Sequence, residues 1–119
     1  MKTTLVIGAS ENIERYSNRA VRMLKKYNHP VIAVGLKPGE IDGVTIQTGL
    51  PEIKNVNTVT VYVGEKNQPP YFDYILNLKP SRVIFNPGAE NPALEKKLEE
   101  KGIEVLEACT LVMLSTGSY

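Results

Sequence analysis

Thr4-Leu5-Val6-Ile7-Gly8-Ala9-Ser10, followed later by Val31-Ile32-Ala33-Val34-Gly35-Leu36-Lys37, is the part of the sequence that decides the fold. Each stretch is a short apolar run that stops at a glycine. A run that is apolar at every position, not at alternate ones, belongs to a strand covered on both faces, as in a parallel sheet flanked by helices. Between the two runs, Ala20, Val21, Leu24 and Tyr27 recur at helical spacing, which marks one buried helix face. Ser17 is read as the N-cap of that helix. His29-Pro30 ends it, because the residue before a proline avoids helical geometry. Strand, helix and strand in this order make a right-handed crossover between parallel strands.

The same rhythm continues to the C-terminus. Lys37-Pro38-Gly39 reads as a turn, Val44-Thr45-Ile46 as a short edge strand, and Leu50-Pro51-Glu52-Ile53 as one helical turn. Thr58 to Val63 is the strongest strand signal, rich in β-branched residues and closed by Gly64. Pro70 to Leu78 reads as a helix with proline in its first turn. Arg82-Val83-Ile84-Phe85 is a strand ended by Asn86-Pro87-Gly88. Asn91 caps the next helix and Pro92 takes its first position. Leu94 and Leu98 face inward, and Gly102 supplies a left-handed residue past the end. Ile103 to Leu106 is the last strand, and Cys109 to Leu114 a short closing helix. The expectation is one three-layer α/β/α domain over residues 1–119, Rossmann-like, with a mostly parallel sheet of five to six strands in the order 3-2-1-4-5. Such sheets take ligands beyond the carboxyl ends of their strands, where the order reverses. That edge carries the loops after Ile7, Val34, Val63 and Phe85.

Composition narrows the function. In 119 residues, 14 Lys and Arg balance 13 Asp and Glu, a net charge of +1, so no basic excess points to nucleic acid. No apolar stretch approaches the roughly 20 residues that span a bilayer, and Leu5-Val6-Ile7 is too short for the apolar part of a signal peptide. The expected location is cytoplasmic, with no membrane partner. One cysteine, Cys109, and one histidine, His29, leave no intramolecular disulfide and no His/Cys metal site. Glu90 has no partner carboxylate, so acid–base catalysis has no visible machinery. His29, at a helix end, is read as structural and favoured as a cation. Tyr62, Tyr71 and Tyr74 are read as core or rim, and Tyr119 as exposed or frayed.

The first two loops carry the ligand signals. A dinucleotide fingerprint needs glycine at positions 8, 10 and 13; this chain has Gly8, Ser10 and Ile13. The tight turn remains, and backbone N–H groups with the Ser10 hydroxyl can meet a phosphate; an ordinary strand-to-helix turn explains the same residues. NAD-binding domains place an acid after the second strand to accept from the ribose 2′-hydroxyl. Here Gly35-Leu36-Lys37 stands there instead. An ammonium favours a phosphate, either the 2′-phosphate of NADP or one of coenzyme A, unless Lys37 is simply solvated. Arg15, Arg19 and Arg22 fall at helical spacing; Arg15 is nearest the first loop and able to pair with a pyrophosphate.

Taken together, Val6-Ile7-Gly8-Ala9-Ser10, Arg15-Tyr16-Ser17, Val31 to Lys37, Asn86 to Asn91 and Glu107-Ala108-Cys109 resemble the CoA-binding domain family. These are small cytoplasmic Rossmann-like proteins similar to the N-terminal domain of the succinyl-CoA ligase alpha subunit. The resemblance implies that Gly8, Ala9 and Ser10 contact the CoA phosphates, flanked by Arg15 and Ser17. Gly35, Leu36 and Lys37 would hold the adenosine end, with Lys37 on a phosphate. Val63 and Gly64 would pass close to the ligand, and Asn86, Pro87 and Gly88 would line the pantetheine side. Three features depart from the family pattern. Gly35-Leu36-Lys37 replaces Asn-Pro-Lys, Phe85-Asn86-Pro87-Gly88 replaces a Trp-x-Gln-x-Gly stretch, and Thr110-Leu111-Val112-Met113-Leu114 replaces a basic, Pro-containing tail. In the ligase the catalytic histidine lies in another domain, so the resemblance brings no reaction. Cys109 would lie near the CoA thiol, able to form a mixed disulfide or to sense oxidation; packing as a small hydrophobe is the favoured alternative. Three readings stay open. The first is a CoA or acyl-CoA binding module, with an unidentified protein partner allowed. The others are an NADP-dependent oxidoreductase or dinucleotide-binding protein, and a structural or interaction domain that has lost its ligand.

Overall fold

The computed structural model describes Met1–Tyr119. Its elements are β1 (Thr4–Ile7), α1 (Tyr16–Lys26), β2 (Val31–Val34), β3 (Gly39–Ile41), β4 (Val44–Gln47), β5 (Thr58–Val61), α2 (Phe72–Leu78), β6 (Arg82–Phe85), α3 (Pro92–Glu100), β7 (Glu104–Glu107) and α4 (Thr110–Thr116). All seven strands join one sheet in the order β3-β4-β2-β1-β5-β6-β7. Every pairing is parallel except β3 with β4. Ile7 is level with Val34 on one side and Val61 on the other, and Val61 with Phe85. The central strands therefore end together and open their loops along one edge.

The strand count corrects the expected five to six. Gly39–Ile41 is a strand, not only the end of a turn, and it pairs antiparallel with β4. Between them Asp42 and Gly43 both take positive φ, 48° and 85°. That is the conformation a two-residue hairpin turn needs, and Asp-Gly favours it. The edge strand is thus Gly39–Ile41, while Ile46 of β4 lies beside Ala33 of β2. Leu50 to Ile53 forms no helical turn. A 3₁₀ turn at Pro69–Tyr71 leads into α2, so the segment from Pro70 is 3₁₀ until Tyr71 and α-helical only from Phe72. Ser17 is not a cap: α1 begins at Tyr16 after Arg15, with no side-chain cap, and Ser17 is buried within the first turn. Asn91 does cap α3. Its Oδ1 accepts from Leu94 N at 3.2 Å, and Glu95 Oε2 accepts from Asn91 N at 2.9 Å, closing a reciprocal cap.

Alternate residues of each strand go to opposite faces, so continuous apolar runs supply two cores. Leu5, Ile7, Val59, Val61, Val83 and Phe85 pack with Ile75 of α2 and Leu94 and Leu98 of α3. Val6, Ala33 and Ile46 pack with Val21 and Leu24 of α1 and Leu114 of α4. No helix is long and apolar enough to cross a membrane.

The far edge of the sheet corrects two further expectations. Tyr119 is docked, not frayed. Its hydroxyl bonds Thr4 Oγ1, and its ring stands 4.8 Å from the His29 ring and 4.3 Å from the guanidinium of buried Arg82. A cation over an aromatic face is attracted by the ring quadrupole. His29 is held as the neutral imidazole. Burial lowers its pKa below the usual 6.5, and the N-terminus, Lys2 and Arg82 add to the effect. The Lys2 backbone N–H donates to His29 Nδ1 at 3.0 Å, an acceptor that only the neutral ring offers.

Candidate functional site

The carboxyl ends of β2, β1, β5 and β6 carry four loops. Two of them form a unit made largely by glycines. Gly8 has φ +97°, and a Cβ there would lie 3.0 Å from Val63 Cγ2, so both conformation and space require glycine. The N–H groups of Gly8 and Ala9 both donate to Val34 O at 2.9 Å. This draws the first loop onto the end of β2. A Cβ on Gly35 would lie 2.2 Å from Ala9 O, so the first and second loops meet backbone to backbone. Ser10 and Glu11 N–H, next along the turn, take no partner within the chain. They are open donors, displaced by two residues from the Gly8 and Ala9 amides, and Ile13 N–H further along the loop is open too.

Two side chains without any motif in the sequence fix this unit. Asn18 is buried; its Nδ2 donates to Ser10 O at 2.9 Å, and its Oδ1 accepts from Arg22 Nε at 2.8 Å. Glu11 Oε2 accepts from Glu40 N at 2.9 Å, tying the first loop to the β3–β4 hairpin. Ser10 Oγ accepts from Asn12 N at 3.1 Å, while Arg15 lies exposed just before α1. Gly35 is buried at the loop contact, whereas Leu36 and Lys37 stand out in solvent, Leu36 at 91% exposure.

The other two loops are bound by amides. Asn86 is buried, and its Nδ2 donates to Thr60 Oγ1 at 2.7 Å and Val61 O at 2.9 Å. Its Oδ1 accepts from Thr110 N at 2.9 Å, and Thr60 and Thr110 share a 2.7 Å hydroxyl contact. The Asn86 side chain thus locks β5, β6 and the start of α4, while Gly88 beyond it is exposed. Gln68 joins the loop after β5 to that after β6 through Val63 O and Ala89 O. The two loops approach there: a Cβ on Gly64 would lie 3.9 Å from Gly88 O, while one on Gly88 would meet open space.

Cys109 is a half-buried free thiol immediately before α4. Tyr62 Oη nearby is buried without a hydrogen bond, and burial holds the phenol well above the usual tyrosine range, with Cys109, Thr60 and Thr110 among its neighbours. Glu11, Glu14, Glu65, Glu90 and Glu107 share the edge with Arg15, Lys37 and Lys66. An anion at this edge would be held by placed groups, since no general positive field surrounds it.

The family model of the CoA binding domain matches residues 2–115 of this chain. The chain belongs to the CoA-binding domain family. Curated proteins give no significant match. Among solved structures, the family fold recurs in an uncharacterized protein that is 50% identical, with a TM-score of 0.97 over 100% of this chain and 98% of that one. It recurs in a Thermus thermophilus protein, cell-free ID.343, at 24% identity and a TM-score of 0.85, covering 99% of this chain and 90% of that one. A hypothetical protein from Pyrococcus horikoshii OT3 is 22% identical, with a TM-score of 0.87 over 97% of this chain and 82% of that one. In this member of the CoA-binding domain family, the four loops that the sequence singles out do converge on one edge. Gly8, Ala9, Ser10, Arg15 and Ser17 sit on the first loop and the helix after it, and Gly35, Leu36 and Lys37 on the second. Val63 and Gly64 sit on the third, Asn86, Pro87 and Gly88 on the fourth, and Cys109 beside it after β7.

Proposed function

We propose that the protein binds coenzyme A, or an acyl-CoA, at this edge, as a module without a reaction of its own. The observation that carries the reading is the backbone contact between Gly35 and Ala9 O. It joins the turn with open N–H donors at Ser10 and Glu11 to the loop that presents Lys37. Family membership over residues 2–115 supports coenzyme A as the ligand of that juxtaposition. In this reading the open amides and Arg15 take the pyrophosphate and Lys37 a phosphate at the adenosine end. Leu36 offers an apolar face to the adenine. The pantetheine arm runs along the loops at Gly64 and Gly88 toward Cys109. The NADP reading shares Lys37 but fits less well: seven residues separate Gly8 from Tyr16, where α1 begins, whereas a dinucleotide fingerprint opens its helix directly from the glycine turn.

Isothermal titration with CoA, NADP and NAD tests the proposal. Binding of CoA near one per chain, with neither dinucleotide competing, is the expected result. Binding of none of the three returns the protein to the class of interaction domains without a ligand.

A further inference from the structure

We infer that Gln68 is a positioning residue that sets the gap between the loops after β5 and β6, and through it the affinity for the pantetheine arm but not for the nucleotide end. The inference rests on the CoA reading above. Gln68 is 1% exposed and lies between the 3₁₀ turns Glu65–Asn67 and Pro69–Tyr71. Its single NH₂ group donates to Val63 O at 2.8 Å and to Ala89 O at 2.7 Å. Its Oε1 accepts from Asn91 Nδ2 at 2.8 Å, and Asn91 is itself fixed as the cap of α3.

The two carbonyls belong to the residues next to the two glycines: Val63 precedes Gly64 and Ala89 follows Gly88. One amide therefore clamps both loops where Gly64 approaches the Gly88 carbonyl, each glycine three residues beyond the last paired residues of β5 and β6, Val61 and Phe85. Glutamine is suited to this because it has two N–H donors and one acceptor on a side chain long enough to reach. Glutamate would bring oxygen toward two carbonyl oxygens. Leucine would leave both carbonyls and the Asn91 amide without partners, a costly state in a buried place. The nucleotide end is built differently, from Gly8, Ala9, Val34, Gly35 and Glu11, and none of those contacts involves Gln68.

The test compares CoA with adenosine 3′,5′-bisphosphate, which carries the nucleotide but no pantetheine, on wild type, Gln68→Leu and Gln68→Glu by calorimetry. CoA binding by the variants is expected to weaken about tenfold, the equivalent of one net hydrogen bond; the bisphosphate should hold within about twofold. Unchanged CoA affinity in the folded variants overturns the inference. So does an equal weakening of both ligands, which would mark a general loosening of the fold. Failure of the wild type to bind CoA at all defeats the CoA reading itself. If the variants do not fold, the Gln68 side-chain amide signals of the wild type decide by NMR. They should move with CoA and stay in place with the bisphosphate; movement with both, or with neither, overturns the positioning role.

Discussion

The fold requires glycine at Gly8 and at Gly35 but not at Gly64, and substitution separates them. Gly8 is constrained by its positive φ. Gly35 is constrained only by space, since a Cβ would lie 2.2 Å from the Ala9 carbonyl oxygen, an atom of the backbone that cannot rotate aside. Gly35→Ala is expected to destabilise the protein by about 1–3 kcal/mol, the usual range for overpacking, read as a lower midpoint in urea unfolding. Gly64 has φ −63°, and a methyl group there would meet no atom closer than 3.9 Å. Gly64→Ala should leave stability unchanged or raise it by about 0.4–1 kcal/mol, through a less flexible unfolded chain, while CoA binding weakens as the gap fills. Opposite signs in the melt and in the titration are the signature; a variant that binds CoA normally would take Gly64 out of the site. Lys37 is exposed and has no ion-pair partner in the chain, so its ammonium is free for a ligand. Lys37→Ala is expected to cost about 1–3 kcal/mol of CoA binding, the size of a charge-assisted hydrogen bond, with no change in melting temperature. Equal affinities of the two proteins would remove it from the site.

At the level of elements, helices and strands differ in how openly their ends are written. The start of α3 is local: Asn91 accepts from a backbone amide three residues on, and Pro92 fills a position that needs no N–H. Asn91 also hydrogen-bonds Gln68, 23 residues away, and nothing local announces that. Asn91→Ala should therefore lose more than the cap's typical ~1 kcal/mol. Asn91→Asp keeps the capping oxygen but not the amide, and should recover only part; chemical unfolding of the three proteins measures the split. The start of α1 is concealed for a related reason. Ser17 is a good capping residue by type, but the helix begins one residue before it, and burial of Ser17 comes from the packing of the first turn. The β3–β4 hairpin is faint in the sequence although Asp42-Gly43 is a strong local turn signal, because β3 is only three residues long. The tie from Glu11 to Glu40 N holds that short strand and spans 29 residues of sequence.

For the molecule as a whole, the edge opposite the candidate site gathers Lys2, Thr4, His29, Arg82 and Tyr119. His29 gives the fold a pH dependence. Its folded pKa lies below the unfolded value near 6.5, so at intermediate pH the unfolded chain binds the additional proton. The stability it contributes is complete above about pH 6.5 and is lost as pH falls through the lower folded value. Melting temperatures from pH 8 to pH 5 should fall more in wild type than in His29→Gln. Parallel curves would show that the imidazole is not held neutral by the fold. The candidate site lies across the sheet from this cluster, so the two ends can be perturbed separately.

By itself the sequence determined what depends on near neighbours. Apolar runs ended by glycine gave parallel strands covered on both sides, helical spacing gave α1 and α3, and the carboxyl ends of the strands gave the edge where Gly8, Lys37, Gly64 and Gly88 would gather. The family was legible in the same residues. The tertiary structure alone decided how those loops are held: Gly35 against Ala9, Asn18 under Ser10, Asn86 across three elements, Gln68 over the Gly64–Gly88 gap, and Tyr119 on Arg82. These are hydrogen bonds and contacts between residues mostly far apart in the chain. A buried amide in the sequence looks like any other Asn or Gln until the fold brings it the donors and acceptors that it must satisfy.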